Sequence, residues 1–509
     1  MEQPLEVSRP DFPVTDQANT PPSPVDALQY AISSGLSSLQ FSGEAGKVTS
    51  IRTVHTSQFT KQPDAQNFAR TGNALLSRHE HSRNFDDLRG AITAFQDAVQ
   101  LTPDYDPNKP DYWNDLGHCL YQLFHRFGKL DHLQSSIVAL RNAIQLTPDD
   151  NPRLPFWLRN LAVFLNARFH RLGKLKDLDS ALKTNRRVVE LTPGDDPELP
   201  RRLITLALSL LARFNRLGEL KDLQSALETD RRAVDLTPGD DPELPQRLSN
   251  LAVSFEARFN RLGELKDLES ALETHRRAVE LTPGDDPDLP WRLSNLAVSL
   301  RARFNRLGSL KDLESALETD RRAVELTPCD DPKLAWRLSN LAVSFEARFN
   351  RLGELKDLES ALETHRRAVE LTPDDDPELP QRLSNLAISL LARFNRLGEL
   401  KDLDSALETD RRAVKLTRGD DPELPRRLSN FAVFLLTRFE RLGELKDLES
   451  ALETDRRAVR LTPDDDPDLP RRLSILAVSW RARFNRLGEL KDFESALETD
   501  RRAVNFHGD

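Results

Sequence analysis

One interval governs this chain: from Leu101 onward the tripeptide Leu-Thr-Pro returns every 45 residues. It begins at Leu101, Leu146, Leu191, Leu236, Leu281, Leu326, Leu371 and Leu461, and it reads Leu-Thr-Arg at Leu416. A fixed period of this length marks an architecture in which each repeat completes its core against its neighbours. Residues 247–283 are identical to residues 337–373, which points to recent duplication of a two-repeat block. At 509 residues the chain exceeds an ordinary single domain, but an array has no such ceiling.

Within one repeat the apolar residues fall at helical spacing. Leu248, Leu251, Ala252, Phe255, Phe259 and Leu262 recur at three and four residues and predict a first helix with one apolar stripe. Gly263 follows as a helix-ending residue. Asp267 is the expected N-cap of a second helix, whose stripe is Leu268, Ala271, Leu272, Ala278 and Val279. Glu273 and Arg277 stand one turn apart in the favourable order. Thr282-Pro283 ends that helix, and the acidic segment 284–287 leads onward, with Asp286 the expected N-cap and Pro287 the first helical residue unless the helix starts at Pro290. A lone hairpin of this kind leaves its stripes uncovered. The expected fold is therefore all-α, a right-handed superhelical solenoid of about ten hairpins over residues 63–509. Residues 1–62, rich in Pro, Ser, Thr and Gln, are expected to be mostly disordered, with a short helix over 27–40.

Composition removes several function classes. Net charge is −10 and the pI about 5.7, against a nucleic-acid binder with a general basic excess. Cys119 and Cys329 occupy unrelated repeat positions and form no CxxC, which predicts neither disulfide nor zinc site and fits a reducing compartment. No secretory leader and no apolar run of bilayer length is apparent, so the cytoplasm is the expected location. Nucleophile elbow, phosphate loop and metal signature are all missing, so neither enzyme nor cofactor is expected.

Trp113-x2-Leu116-Gly117-x2-Leu120 and Ala91-x3-Phe95-x2-Ala98-x4-Pro103 resemble the two halves of the tetratricopeptide pattern. The period of 45 and the Leu-Ser-Asn-Leu-Ala segments are similar to kinesin-light-chain-type repeats, and the whole array resembles fungal aromatic di-alanine and tetratricopeptide proteins. Such arrays often accompany a caspase-like CHAT domain, which implies an alternative role as the sensor arm of a truncated protease or signalling protein. The family's aromatic position, Phe95 in the first repeat, becomes Asp230, His275, Asp320, His365, Asp410, Asp455 and Asp500. A polar seam, bonded to the next repeat or to arginines such as Arg276, is the expected reading; a catalytic or metal-binding one is the alternative.

Projected at 100° per residue, the side of the first helix opposite its core stripe carries Gln246, Asn250, Val253, Ala257 and Arg261. The resemblance implies that this helix lines a concave groove. Its asparagines recur as Asn160, Asn250, Asn295, Asn340, Asn385 and Asn430, and its arginines as Arg216, Arg261, Arg306, Arg351, Arg396 and Arg441, with further copies at Arg126, Arg171 and Arg486. Trp291 and Trp336 replace Gln246 in two repeats. Amides suit the alternating donors and acceptors of an extended peptide, and arginines suit carboxylates or phosphates. The same residues equally suit contacts between repeats: Asn250 to a neighbouring helix, Arg261 to an acidic loop. Arg247 and Arg258 are expected to be structural. The functional expectation is a non-enzymatic scaffold for an acidic, extended protein segment, without nucleic acid or membrane, and with self-association through the C-terminal repeat.

Overall fold

The computed structural model describes residues 64–505, apart from 420, 465 and 467. The expected helix over 27–40, the disordered segment and the last four residues lie outside the described residues. Twenty helices form ten hairpins, with no strand among the described residues. The first helices are α1 (Ala65–Ser82), α3 (Lys109–Phe127), α5 (Leu154–Leu172), α7 (Leu199–Leu217), α9 (Leu244–Leu262), α11 (Leu289–Leu307), α13 (Leu334–Leu352), α15 (Leu379–Leu397), α17 (Leu424–Leu442) and α19 (Leu469–Leu487). Their partners are α2 (Phe85–Leu101), α4 (Leu130–Gln145), α6 (Leu175–Glu190), α8 (Leu220–Asp235), α10 (Leu265–Glu280), α12 (Leu310–Glu325), α14 (Leu355–Glu370), α16 (Leu400–Leu416), α18 (Leu445–Leu461) and α20 (Leu490–Asn505). The chain divides between Leu281 and Thr282 into two compact units, each holding five of these hairpins. Inside each unit, every helix packs on its hairpin partner and every second helix on the first helix of the next hairpin.

The stripes read from the sequence are the buried ones, with one correction. Leu248, Leu251, Ala252 and Phe255 are buried, and so are Leu268, Ala271, Leu272 and Ala278. Leu262 is not: it sits in the last turn of α9, at the exposed bend of the hairpin. The cause is the sharp stop that follows. Gly263 adopts φ 71°, and its N–H donates to the Phe259 carbonyl at 2.7 Å. A side chain larger than hydrogen is strained there, which explains glycine at this place in nine hairpins.

Asp267 does not cap α10. Glu264 holds the N-cap position without a side-chain bond, and Asp267 is buried beneath the bend. There it accepts two hydrogen bonds from Arg258, one from Nε at 2.8 Å. The same fork joins Arg78 to Asp87, Arg168 to Asp177, Arg213 to Asp222, Arg303 to Asp312, Arg348 to Asp357, Arg393 to Asp402, Arg438 to Asp447 and Arg483 to Asp492. Two parallel bonds between planar groups fix the angle at which the second helix leaves the bend. In the second hairpin the positions are Leu123 and His132, and no fork forms.

The opposite corner uses the Leu-Thr-Pro signature. Thr237 is buried, its hydroxyl donates to the Ala233 carbonyl at 2.6 Å, and it accepts from Arg247 Nη1 at 3.1 Å. Arg247 also reaches Asp241 at 2.9 Å, which gives this buried arginine the structural place expected of it. The helix after the acidic loop begins at Leu289 with Pro290 in its first turn, one of the two starts the sequence allowed. Asp286 instead turns the loop, accepting from the Asp288 N–H at 2.7 Å.

Removing one arm of a fork leaves a guanidinium half-buried without its carboxylate. Asp357→Ala is expected to destabilise the protein by roughly 2–3 kcal/mol, below the range for a fully buried pair because Arg348 keeps some water contact. Denaturant unfolding checks this. Asp357→Asn, which keeps one acceptor, should lose less.

Candidate binding surface and the polar seam

The structure separates the residues that the projection placed on one stripe. Asn160, Asn250, Asn295 and Asn340 are buried, while Asn385 and Asn430 are half-buried. Val253 and Ala257 are buried as well, as is Trp291; Trp336 is half-buried. Several amides bond inside the array. Asn160 Nδ2 donates to Asn114 Oδ1 of the preceding hairpin at 3.2 Å. Gln246 donates to Asn250 at 3.2 Å, and Gln381 to Asn385 at 2.8 Å, with Arg426 of the following hairpin donating to Gln381. The Nδ2 groups of Asn295 and Asn340 are buried with no acceptor among the described residues.

The arginines lie elsewhere. Arg216, Arg261, Arg306, Arg351, Arg396, Arg441 and Arg486 all stand in the last turn of a first helix, exposed. From Asn250 to Arg261 is eleven residues, about 16 Å along the axis. Arg171 stands in the same way in the third hairpin, and none of these eight has a hydrogen-bond or ion-pair partner among the described residues. Arg126, their counterpart in the second hairpin, lies over the Phe85 ring instead. Beside them Leu217, Leu262, Leu307, Leu352, Leu397, Leu442 and Leu487 are also exposed. Within each unit the bends thus form a ridge of alternating cation and leucine, repeated once per hairpin. Periodicity alone pointed at the arginines; the ridge leucines were missed because they continue the core stripe by one more turn.

The polar positions of the second helices are the buried seam expected for them. Asp230, His275, Asp320, His365, Asp410 and Asp455 are all buried. Their partners come from first helices, and Arg276, the arginine named from sequence, is exposed on the outer side. The serine 24 residues later supplies a hydroxyl: Ser344 donates to Asp320 at 2.6 Å, Ser479 to Asp455 at 2.6 Å, and Ser254 to Asp230. Phe434 occupies that place after Asp410, which accepts from Ser384 of its own hairpin at 2.8 Å.

The residue 19 positions earlier follows a rule of charge. Glu256 stands 3.4 Å from His275, and Glu346 3.4 Å from His365. Arg301 donates to Asp320 at 2.5 Å, and Arg481 to Asp500 at 2.5 Å. Leucines at 211, 391 and 436 precede Asp230, Asp410 and Asp455. Acid meets base wherever a charge is present on the first helix. Burial pushes the aspartates up: those preceded by leucine to about 7, against which a serine bond and, at Asp410, Arg427 and Arg426 pull weakly, and Asp320 as well, although Arg301 faces it. The cluster of Ser389, Glu346 and His365 has the residue types of a nucleophilic triad but not the connectivity. Ser389 donates to Glu346, not to the imidazole, and all three are buried between hairpins. Among the described residues no group of three or more His, Cys, Asp or Glu has the arrangement to hold a metal ion, and no helix is long and apolar enough to cross a membrane.

No family model and no curated protein matches this sequence. Among solved structures, the human IFIT1 dimer with PPP-AAAA aligns over 95% of this chain and 95% of its own, at 15% identity and TM-score 0.36. BtubC (BKLC) from P. vanneervenii aligns over 48% of this chain and 90% of its own, at 17% identity and TM-score 0.35. A Podosopora anserina chain, described as a kinesin light chain with nearly identical TPR-like repeats, aligns over 44% of this chain and all of its own, at 16% identity and TM-score 0.33.

The leucine-backed aspartates give the array a pH dependence of defined sign. Their native pKa of about 7 lies above the unfolded value of 3.8, so the native state holds protons that the unfolded chain has released. Their contribution is complete below about pH 4 and is lost as pH rises through about 7, with a ceiling of about 4 kcal/mol per site. The midpoint of denaturation should fall between pH 5 and pH 8. Asp455→Asn should flatten that fall, since Asn185 already fills this position and bonds Ser209 at 2.8 Å. A slope unchanged in the variant would remove Asp455 as its source. By its own hairpins the chain is an all-α repeat array of tetratricopeptide-like form.

Proposed function

We propose that the protein is a non-enzymatic scaffold that holds an acidic or phosphorylated segment of a partner protein along its hairpin bends. The observation that carries this reading is the row of exposed arginines without partners. Three other recurring arginine positions are committed: at the fork to aspartate, at the loop corner to threonine and aspartate, and at the seam to aspartate. The bend position keeps its fork of donors free at hairpin after hairpin, as exposed second-helix arginines such as Arg276 and Arg322 also do, and at the bend an exposed leucine stands beside it; such a row suits a ligand with repeated carboxylates or phosphates. The adjoining leucines add apolar contact area at each step. The amide row is a secondary contact in this reading. Its two orphan donors, on Asn295 and Asn340, are buried, so a ligand carbonyl meets them only where the side chains covering them move aside. An acidic protein with a basic ridge attracts acidic partners locally while its overall charge of −10 discourages nucleic acid.

Anisotropy titration with a labelled acidic peptide, unphosphorylated and phosphorylated, tests the proposal. Binding should weaken as salt rises, and the double change Arg351→Ala/Arg396→Ala should weaken it about tenfold or more. Asn340→Ala should cost less than the arginine pair. Equal affinity of the double variant and the parent would dismiss the ridge. Tighter binding of an RNA of matched charge would replace the protein partner by a nucleic-acid one.

A further inference from the structure

We propose that copies of this chain associate side by side, the bend edge of one against the loop edge of the next. The inference rests on the reading of the ridge as a row for acids, and it names the partner that brings them: a second copy of this chain.

Each bend leaves a cation free, and the loops between hairpins leave an acid free. The loop before α15 carries three aspartates in a row. Asp374 accepts from Arg412 of the hairpin that follows, at 2.7 Å. Asp376 turns the loop, accepting from the Glu378 N–H at 2.8 Å, and stands 3.7 Å from the buried Arg382. Asp375, between them, is exposed and has no hydrogen-bond or ion-pair partner among the described residues. In the loop before α13 Asp331 has the duties of Asp376, and Asp330 is exposed without a partner. In the other unit Asp150, Asp195 and Asp240 stand in the same way. A leucine accompanies the acid. The first residue of the Leu-Thr-Pro signature is 40% exposed at Leu326 and 42% at Leu371, much as Leu352 and Leu397 are on the bends. Its neighbour Thr372 is buried and serves the corner; the leucine does not.

The two helices of a hairpin run antiparallel, so within a unit the bends share one edge and the loops share the opposite one. The 19 residues of α15, about 28 Å of helix, separate Asp375 before its start from Arg396 in its last turn. A loop acid therefore does not reach the bend arginine of its own hairpin. A second copy laid alongside in the same orientation brings its loop edge to the ridge. Arginine then meets aspartate with a forked donor, and leucine meets leucine. The spacing matches as well. Both edges belong to one stack of hairpins, so free cations and free acids advance by the same step. A partner of other architecture meets that step only by coincidence. The net charge of −10 opposes contact between copies, but at physiological salt a Debye length of about 8 Å confines this repulsion and leaves the facing rows to decide. Bend-on-loop contact is heterologous: each copy in a pair keeps one unused edge, so association continues past the dimer.

Sedimentation velocity on the 509-residue chain, across about 1–100 μM, reads the association directly. The parent's sedimentation coefficient should climb steadily over this range, without a dimer plateau. Arg351→Glu/Arg396→Glu makes the bend edge acidic, and Asp330→Arg/Asp375→Arg makes the loop edge basic. Each variant alone should associate about tenfold more weakly or less. Their equimolar mixture should recover the association, because the reversed bends of one meet the reversed loops of the other. Circular dichroism checks that both retain parental helix content, as expected for changes at exposed positions. A parent that stays monomeric at all concentrations overturns the proposal. So does association that survives in both variants, which places the contact elsewhere, and so does a mixture no larger than its components, since the two edges then do not meet. Titration with the acidic peptide separates this inference from the reading it rests on. The loop variant keeps the parental ridge and should bind that peptide as the parent does. Peptide binding by a parent that never associates keeps the ridge reading and ends this one. A recovered mixture with no peptide binding keeps the ridge as a row for acids and replaces the extended segment by the second copy.

Discussion

Within each compact unit, a hairpin depends on the one that follows it to cover the apolar side of its second helix. Leu358 and Leu362 of α14 are buried in one cluster with Leu386 and Leu390 of α15, and Leu452 of α18 is buried with Leu476 and Trp480 of α19. Burying a leucine side chain contributes about 1.5–3 kcal/mol, so a hairpin without a neighbour forgoes several such terms at once. The arrangement follows from geometry. Two helices of 16–19 residues cannot enclose both of their own stripes, but they can do so with one further helix laid against them.

That dependence makes the joint between hairpins the place where identity is written. The repeats are nearly uniform in their leucines and alanines, and vary where the seam runs. Glutamate accompanies histidine and arginine accompanies aspartate across the 19-residue interval. A buried charge without its complement costs several kcal/mol, so duplicated hairpins retain the two positions as a matched set. Where leucine replaces the charge, the aspartate survives as a neutral acid bonded to one hydroxyl, and stability becomes sensitive to protons near neutrality.

The bends follow a different logic. There the chain must reverse within a few residues, so a glycine in the left-handed region and a forked arginine–aspartate pair set the geometry. With the reversal fixed, the arginine three residues further along has no structural duty. It points to water in eight hairpins, beside a leucine that the core no longer reaches. A ridge with both features at every step is a surface suited to a ligand that is itself repetitive and acidic.

Periodicity in the amino-acid sequence determined the helical hairpins, their number, the core stripes and the buried polar positions, because a 45-residue repeat with apolar residues at three and four permits few other packings. It also marked the arginines and asparagines as recurring. Only the tertiary structure decided that these two rows part company. Position around a single helix fixes a direction but not what lies in that direction. Asn250 and Arg261 project to the same side of α9, yet neighbouring hairpins close over the middle of the helix and leave its last turn in water. For the same reason Asp267, a cap by its place in the sequence, became the partner of Arg258: the bend brings the end of one helix over the start of the next, a contact nine residues apart that no helical period encodes.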